Sequence, residues 1–291
     1  MVERFPHVLN VIAQDVRDLA MALTPLGAHD WLSEGRAFDI AFAGDPAQVL
    51  MQAREMAGDA RVDINVLAAA NRRKRLLVAD MDSTIIACEC LDELADFAGF
   101  GSSVSAITER AMRGEIAFEP ALRERVALLK GLPVSMLERV YTERVRLNSG
   151  AKILVATMRA HGARTMLVSG GFTYFTQRVA ADTGFDSEQA NRLLDDGTHL
   201  TGVVEEPVLG RDAKVKALEH MVVEGGLAPG DALAVGDGAN DLGMIQRAGL
   251  GVAWHAKPIV AAAAAARLDH ADLTGVLYLQ GYRDAEIRQE A

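Results

Sequence analysis

The segment RLLVADMDST, residues 75–84, sets the tightest limit on how this chain can fold. Leu76 to Ala79 are apolar in succession, the pattern of a parallel strand buried on both faces. The run then stops at two carboxylates, Asp80 and Asp82, separated only by Met81 and followed by Ser83 and Thr84. Acidic groups at the exit of a buried strand belong to the rim of an open α/β sheet, where ligands bind beyond the carboxyl ends of the strands. A period of two predicts that both aspartates point to the same side at the strand end.

The same signature recurs in ARTMLVSGG (163–171), DALAVGDG (231–238) and LGVAWHA (250–256). Helical patterns KILVATMRAHG, FTYFTQRVAADTG, DAKVKALEHMVVEGG and DLGMIQRAG alternate with these runs and supply the crossovers. The expected fold is α/β, a doubly wound, Rossmann-like parallel sheet built from residues 75–84 and 150–291. From 85 to 149 only helical patterns occur, so this interval is expected to be a helical cap inserted into the sheet. RLLDDGTHLTGVV (192–204) reads as a hairpin around Asp-Asp-Gly, and the alanine run 261–266 as helix.

Residues 1–70 alternate strand and helix in the order β-α-β-β-α-β, a small ferredoxin-like α+β domain. They hold no cluster of polar residues suited to catalysis, which favours a regulatory or oligomerisation module and is compatible with a homodimer. NRRKR (71–75) reads as a solvated linker.

Charge narrows the function. The formal net charge is −10 and the cations are scattered, so the footprint of a nucleic-acid binder is missing. No segment offers the roughly 20 apolar residues of a membrane span. MVERFPHVLN lacks the apolar stretch of a signal peptide. The two cysteines, Cys88 and Cys90, are too few for a disulfide framework. A cytoplasmic protein is expected.

Three strand ends therefore collect polar groups: Asp80, Asp82, Ser83 and Thr84; Ser169, Gly170 and Gly171; Asp237, Gly238, Asn240 and Asp241. Singly, each reads as a helix cap or a tight turn. Together, at one rim, they form a hard oxygen site suited to Mg²⁺ beside glycine-opened amides suited to phosphate oxygens. Phosphoryl transfer is the reaction class that follows.

DMDST, SGG, the lysine of GRDAKVKA and GDGAND resemble the four sequence motifs of haloacid dehalogenase-superfamily phosphatases. The insert, with ECLDELA and AITERAMRGEIAFEPALRERVALLKGLP, is similar to that of the phosphoserine-hydrolysing branch. That resemblance implies Asp80 as nucleophile, Asp82 as general acid and base, and Lys214 against the phosphate. It places Mg²⁺ among the Asp80 carboxylate, the Asp82 main-chain carbonyl and Asp237, with Asp241 in support. Ser169, Gly170 and Asn240 would hold phosphate, Glu89 the substrate ammonium and Arg125 its carboxylate, with Met112 and Phe118 shielding the site. The implied reaction is release of L-serine from phosphoserine, the last step of serine biosynthesis. Residues 1–70 resemble amino-acid-binding (ACT-like) regulatory domains in strand and helix order. A related phosphatase or phosphotransferase acting on another small alcohol, a phosphoacceptor signalling module, and an amino-acid sensor with a phosphatase output are the competing readings.

Overall fold

A computed structural model describes residues 5–112, 115–210 and 212–289, with Met112 by its backbone alone. The N-terminal elements are β1 (His7–Ile12), α1 (Arg17–Leu23), β2 (His29–Ser33), β3 (Ala37–Phe42), α2 (Pro46–Ala57) and β4 (Asp63–Ala68). The strands form a sheet of order β2-β3-β1-β4, with β1 antiparallel to β3 and β4, as the ferredoxin-like expectation requires. Alternation sends Leu9, Val11, Phe38, Ile40 and Ile64 into one core with Val16, Ala20, Leu23 and Ala53. Helix α2 starts where it does because Asp45 accepts the Ala47 amide at 2.9 Å and Pro46 takes the first helical position.

On the sheet's other face the register aligns Asn10 with Asp39 and with Asn65. These polar groups are buried and tied to the C-terminal part of the chain. Asp63 accepts the amides of Asp269 at 2.7 Å and Ala271 at 2.8 Å, while burial pushes its carboxyl above the usual range. Asn65 both donates to the Arg267 carbonyl (2.9 Å) and accepts the Arg267 amide (2.8 Å), so one side chain pairs with an edge strand as a neighbouring strand would.

From residue 75 onward come β5 (Leu76–Asp80), four helices α3 (Cys90–Phe97), α4 (Gly101–Met112), α5 (Phe118–Ala127) and α6 (Ser135–Arg144), then α7 (Ala151–Ala160), β6 (Arg164–Phe172) and α8 (Thr173–Thr183). They are followed by β7 (Ser187–Asn191), β8 (Leu193–Asp195), β9 (Leu200–Val204), α9 (Asp212–Glu224), β10 (Ala232–Gly236) and α10 (Leu242–Arg247). The chain closes with β11 (Leu250–Trp254), α11 (Pro258–Ala263), β12 (Ala266–Leu268) and α12 (Gly275–Leu279). The large sheet has the order β12-β11-β10-β5-β6-β7, and β8 pairs with β9 as the expected hairpin. Leu76, Leu77, Val78 and Ala79 are fully buried, as a strand covered on both faces must be. Contacts divide the chain into two compact units, residues 1–78, 149–165 and 218–291, and residues 79–148 and 166–217; β5 and β6 contribute to both.

Two expectations need correction, and one strand has no signal in the sequence. The alanine run is not one helix: α11 ends at Ala263 and Ala266 opens β12, because alanine is small enough for either state and the sheet edge claims it. Strand β7, SEQAN, carries no apolar pattern, which an edge strand does not need. The basic run 71–75 is no solvated linker. Arg72 pairs with Asp39 at 2.5 Å and donates to the carbonyls of Leu279 (3.1 Å) and Tyr278 (3.2 Å) at the C-terminal end of α12, the latter also accepting the Gly281 amide at 2.9 Å. Lys74 donates to the carbonyls of Asn71 (2.6 Å) and Gly230 (2.8 Å), and burial lowers its pKa.

Removing one partner of a buried ion pair strands the other. Arg72→Ala is therefore expected to lower unfolding stability by about 3 kcal/mol, measured by urea denaturation. A loss below about 1 kcal/mol, the value of an exposed pair, would show that Asp39 does not depend on Arg72.

Candidate active site

Asp80 is the last residue of β5 and is buried. Strand geometry ends there. Met81–Ile85 form a wide turn, closed by the Ile86 amide donating to the Met81 carbonyl at 3.0 Å, with Ser83 at φ 56°. Asp82 keeps extended dihedrals, φ −66° and ψ 135°, but it lies beyond β5, within this turn.

Each carboxylate has its own partners. Asp80 Oδ1 accepts the Met81 amide at 2.8 Å and lies 2.5 Å from Lys214 Nζ, which the first turn of α9 supplies. Lys214 is 3 % exposed, so its charge has little water to solvate it and depends on its carboxylate partner. Asp82 instead faces neutral donors: Oδ1 accepts the Cys90 amide at 2.9 Å and Oδ2 accepts the Ser169 hydroxyl at 2.8 Å. Ser169 Oγ in turn accepts the Gly171 amide at 2.8 Å.

The SGG segment has this shape because it leaves the sheet ladder. Met166, Leu167 and Val168 pair with Ser187, Glu188 and Gln189, after which the register jumps so that Phe172 pairs with Asn191. Residues 169–171 form the resulting bulge. A Cβ on Gly171 would lie 3.0 Å from both Asp82 Oδ2 and Ser169 Oγ, and one on Gly170 would lie 3.3 Å from the Phe118 ring. Phe118, at the start of α5, thus covers the bulge. The Met112 side chain, expected beside it, lies outside the described residues.

Within the helical insert, Glu89 accepts the Ser83 hydroxyl at 2.8 Å. Arg125 donates to the Ala121 carbonyl at 3.3 Å and to Thr108 Oγ1 at 3.4 Å. Burial pulls the Arg125 pKa down, while the charges of Asp92 and Glu89 oppose that shift. Burial likewise raises the Asp92 carboxyl, and Arg125 counters it. Arg125 and Glu89 are thus close enough to interact electrostatically. The Cys90 thiol is pushed well up, first by its hydrogen bond with Cys88, then by burial and the Asp82 charge, so it packs as a neutral group.

After β10 the chain turns at Asp237–Asp241. Asp241 is fully buried and its Oδ2 accepts the Gly238 amide at 2.9 Å; the Asp237 carbonyl accepts the Lys257 amide at 3.0 Å; Asn240 is half-buried in the same turn. Asp80, Asp237 and Asp241 each offer a carboxylate oxygen, and these lie within 4.8 Å of one another. All-oxygen, anionic donors at that spacing fit a hard divalent cation. The structure adds Asp241's carboxylate to the metal-capable group.

Sequence reasoning gave no role to Ser83, Asp92 or Asn191. Ser83 was visible as a hydroxyl in DMDST, and its tie to Glu89 follows from the turn. Asp92 lies in ECLDELA, where nothing local marks it as a neighbour of Arg125. Asn191 sits in a strand that has no apolar signal.

Comparison with known proteins agrees with this geometry. A haloacid dehalogenase-like hydrolase model matches residues 77–246. The chain belongs to the haloacid dehalogenase-like hydrolases. It is 44 % identical to a phosphoserine phosphatase of Archaeoglobus fulgidus over 234 residues, 80 % of this chain and 68 % of that one. A phosphoserine phosphatase of Streptococcus thermophilus is 47 % identical over 204 residues, 70 % of this chain and 94 % of its own. The crystal structure of a probable phosphoserine phosphatase from Vibrio cholerae aligns with a TM-score of 0.81 at 31 % identity, covering 97 % of this chain and 88 % of that one.

Mg²⁺ titrated into the protein by calorimetry should report on the acidic group. Asp241→Asn is expected to weaken binding about tenfold or more, whereas Asp195→Asn in the β8–β9 hairpin leaves it unchanged. Equal affinities in both variants would remove Asp241 from the cation site.

Proposed function

We propose that the chain hydrolyses O-phospho-L-serine to L-serine and phosphate, the final step of serine biosynthesis, in the cytoplasm. The observation that carries this reading is the pair of adjacent carboxylates in different settings, Asp80 against a buried lysine and Asp82 between a hydroxyl and an amide. The relatives named above, phosphoserine phosphatases at 44–47 % identity, support the choice of substrate. No helix among the described residues is long and apolar enough to cross a membrane.

The reaction runs in two displacements. Asp80 Oδ attacks phosphorus and forms an aspartyl-phosphate as the serine oxygen leaves. Asp82, protonated at the start, gives its proton to that oxygen, so serine departs as the alcohol. A water molecule then attacks the aspartyl-phosphate, Asp82 takes its proton, and phosphate leaves with Asp80 restored. Lys214, the Ser169 hydroxyl and the Gly170 amide hold the phosphoryl oxygens, with Asn240 reaching them from the 237–241 turn.

Mg²⁺ would be held by Asp80, the Asp82 main-chain carbonyl and Asp237, with Asp241 alongside. When bound, it supplies positive charge that offsets repulsion between the carboxylates and the phosphate. The carboxylate donor set is the support for this choice.

For the rest of the substrate, Glu89 takes the ammonium and Arg125 the carboxylate, since a guanidinium fork matches two carboxylate oxygens. Phe118 excludes water over the Gly170 bulge. We assign residues 85–149 as the cap that confers this specificity, and residues 1–70, with their separate core, as a regulatory or dimer-forming domain.

Phosphate release measured against phosphoserine and a panel of phosphorylated alcohols and sugars tests the reading. Phosphoserine should be preferred, chelation of Mg²⁺ should abolish release, and Asp80→Asn should be inactive. Asp82→Asn should turn over about 10²–10⁴-fold more slowly with Mg²⁺ binding retained, and Arg125→Lys should raise KM more than it lowers kcat. Equal rates across the panel would overturn the assignment of phosphoserine.

A further inference from the structure

Two segments that carry the phosphate-holding groups leave regular structure, and a single buried side chain connects them. The first is the bulge 169–171. Its two extra residues take Ser169, Gly170 and Gly171 out of the β6–β7 register, so the Gly170 carbonyl has no partner in that register. A carbonyl in this position needs another donor. Asn191 Nδ2 donates to it at 2.9 Å. The second segment is the stretch before α9, where Leu209 lies five residues ahead of Lys214. There Asn191 Oδ1 accepts the Leu209 amide at 2.7 Å, and Nδ2 also lies 3.4 Å from the Leu209 carbonyl. Asn191 is 3 % exposed, which leaves its amide little chance of exchanging these partners for water.

We propose that Asn191 is a positioning residue for phosphoryl transfer: its carboxamide fixes the Gly170 bulge and the Leu209 backbone in one register, so that the Gly170 amide and Lys214 reach the same phosphate. The task calls for a group that donates and accepts on one rigid plane, which asparagine provides and aspartate, leucine and serine do not in that arrangement. A fully satisfied buried amide of this kind also specifies one geometry, since either half of the pairing alone leaves a polar atom without a partner. The assignment rests on the phosphatase reading, but not on which alcohol the phosphate comes from.

The test uses the full chain with Mg²⁺ and inorganic phosphate as the probe, titrated calorimetrically, alongside thermal unfolding. Phosphate binding reports the cradle whether or not phosphoserine is the substrate, and the alcohol panel tests that question separately. Asn191→Asp keeps the acceptor but sets an anionic oxygen against the Gly170 carbonyl. Asn191→Leu keeps the bulk and carries no charge. Both are expected to weaken phosphate affinity about tenfold or more, the scale of one lost buried hydrogen bond, with Mg²⁺ affinity unchanged. Both should lower kcat by about 10–100-fold, because a displacement near 1 Å of a positioned group has effects of that size. Asn191→Gln, with the same amide on a longer stem, should recover part of the loss. A loss in Asn191→Asp but not in Asn191→Leu would assign the effect to charge and overturn the proposal. Unaltered phosphate affinity in the folded variants would also overturn it, as would unfolding of all three, which would make Asn191 a support of the fold and not of the site.

Discussion

A carboxylate buried at the end of a hydrophobic strand is unfavourable unless an opposite charge is placed against it, and most of the site follows from that requirement at Asp80. Taking one such ion out of water costs several kcal/mol even after relaxation. The apolar run Leu76–Ala79 makes the mount rigid and dry, and so makes the cost unavoidable. Lys214, itself buried, meets it at 2.5 Å. The start of α9 is therefore pinned to the end of β5. The same deficit of water strengthens whatever charge a phosphate brings, which is why a pair that is costly to fold serves phosphoryl transfer.

A comparable rule governs the N-terminal sheet. One of its faces is an ordinary aliphatic core, but the other buries Asn10, Asp39, Asp63 and Asn65. Asn10 donates to the Tyr278 carbonyl, Asp63 accepts the amides of residues 269–271 and Asn65 bonds both backbone groups of Arg267, while Asp39 pairs with Arg72, which itself reaches the Leu279 and Tyr278 carbonyls. Apolar faces associate in many registers at similar energy. Buried hydrogen bonds do not, because a slip leaves unsatisfied atoms. This docking is accordingly specific at the level of single residues.

Sequence legibility tracked how much each feature depends on local pattern. Strands β5, β6, β10 and β11 were readable because burial on both faces leaves no room for polar residues. The order of elements in residues 7–68 was readable from alternation and from turns. Strands β7 and β12, at the sheet's edges, were not: SEQAN is polar, and the alanines before Arg267 suit a helix equally well. Asp80, Asp82, Ser169 and Asp237 stood out in the sequence as polar groups at strand ends, and Lys214 by its place in a motif of the resembling family. What holds them could not. Asn191 has no periodic signal, and Arg72 and Lys74 look like solvated cations in a sequence, since nothing local shows that the end of α12 will present carbonyls to Arg72, or that Gly230 will present one to Lys74.

The partners of Asp82 also decide where its proton is carried in the proposed reaction. The Cys90 amide at Oδ1 can only donate, so a proton on that oxygen would face an N–H and lose the bond. The Ser169 hydroxyl at Oδ2 can donate or accept, and rotation of its O–H lets the contact survive either protonation state. Oδ2 is then the oxygen that exchanges protons with the serine oxygen and with water. Gly171 sharpens the assignment, because any Cβ at that position would press on this same oxygen and on Ser169 Oγ. In the proposed reaction the bulge in β6 would thus do two things with three residues: open amides towards phosphate, and set a reversible hydrogen-bond partner beside the one oxygen that gains and loses a proton.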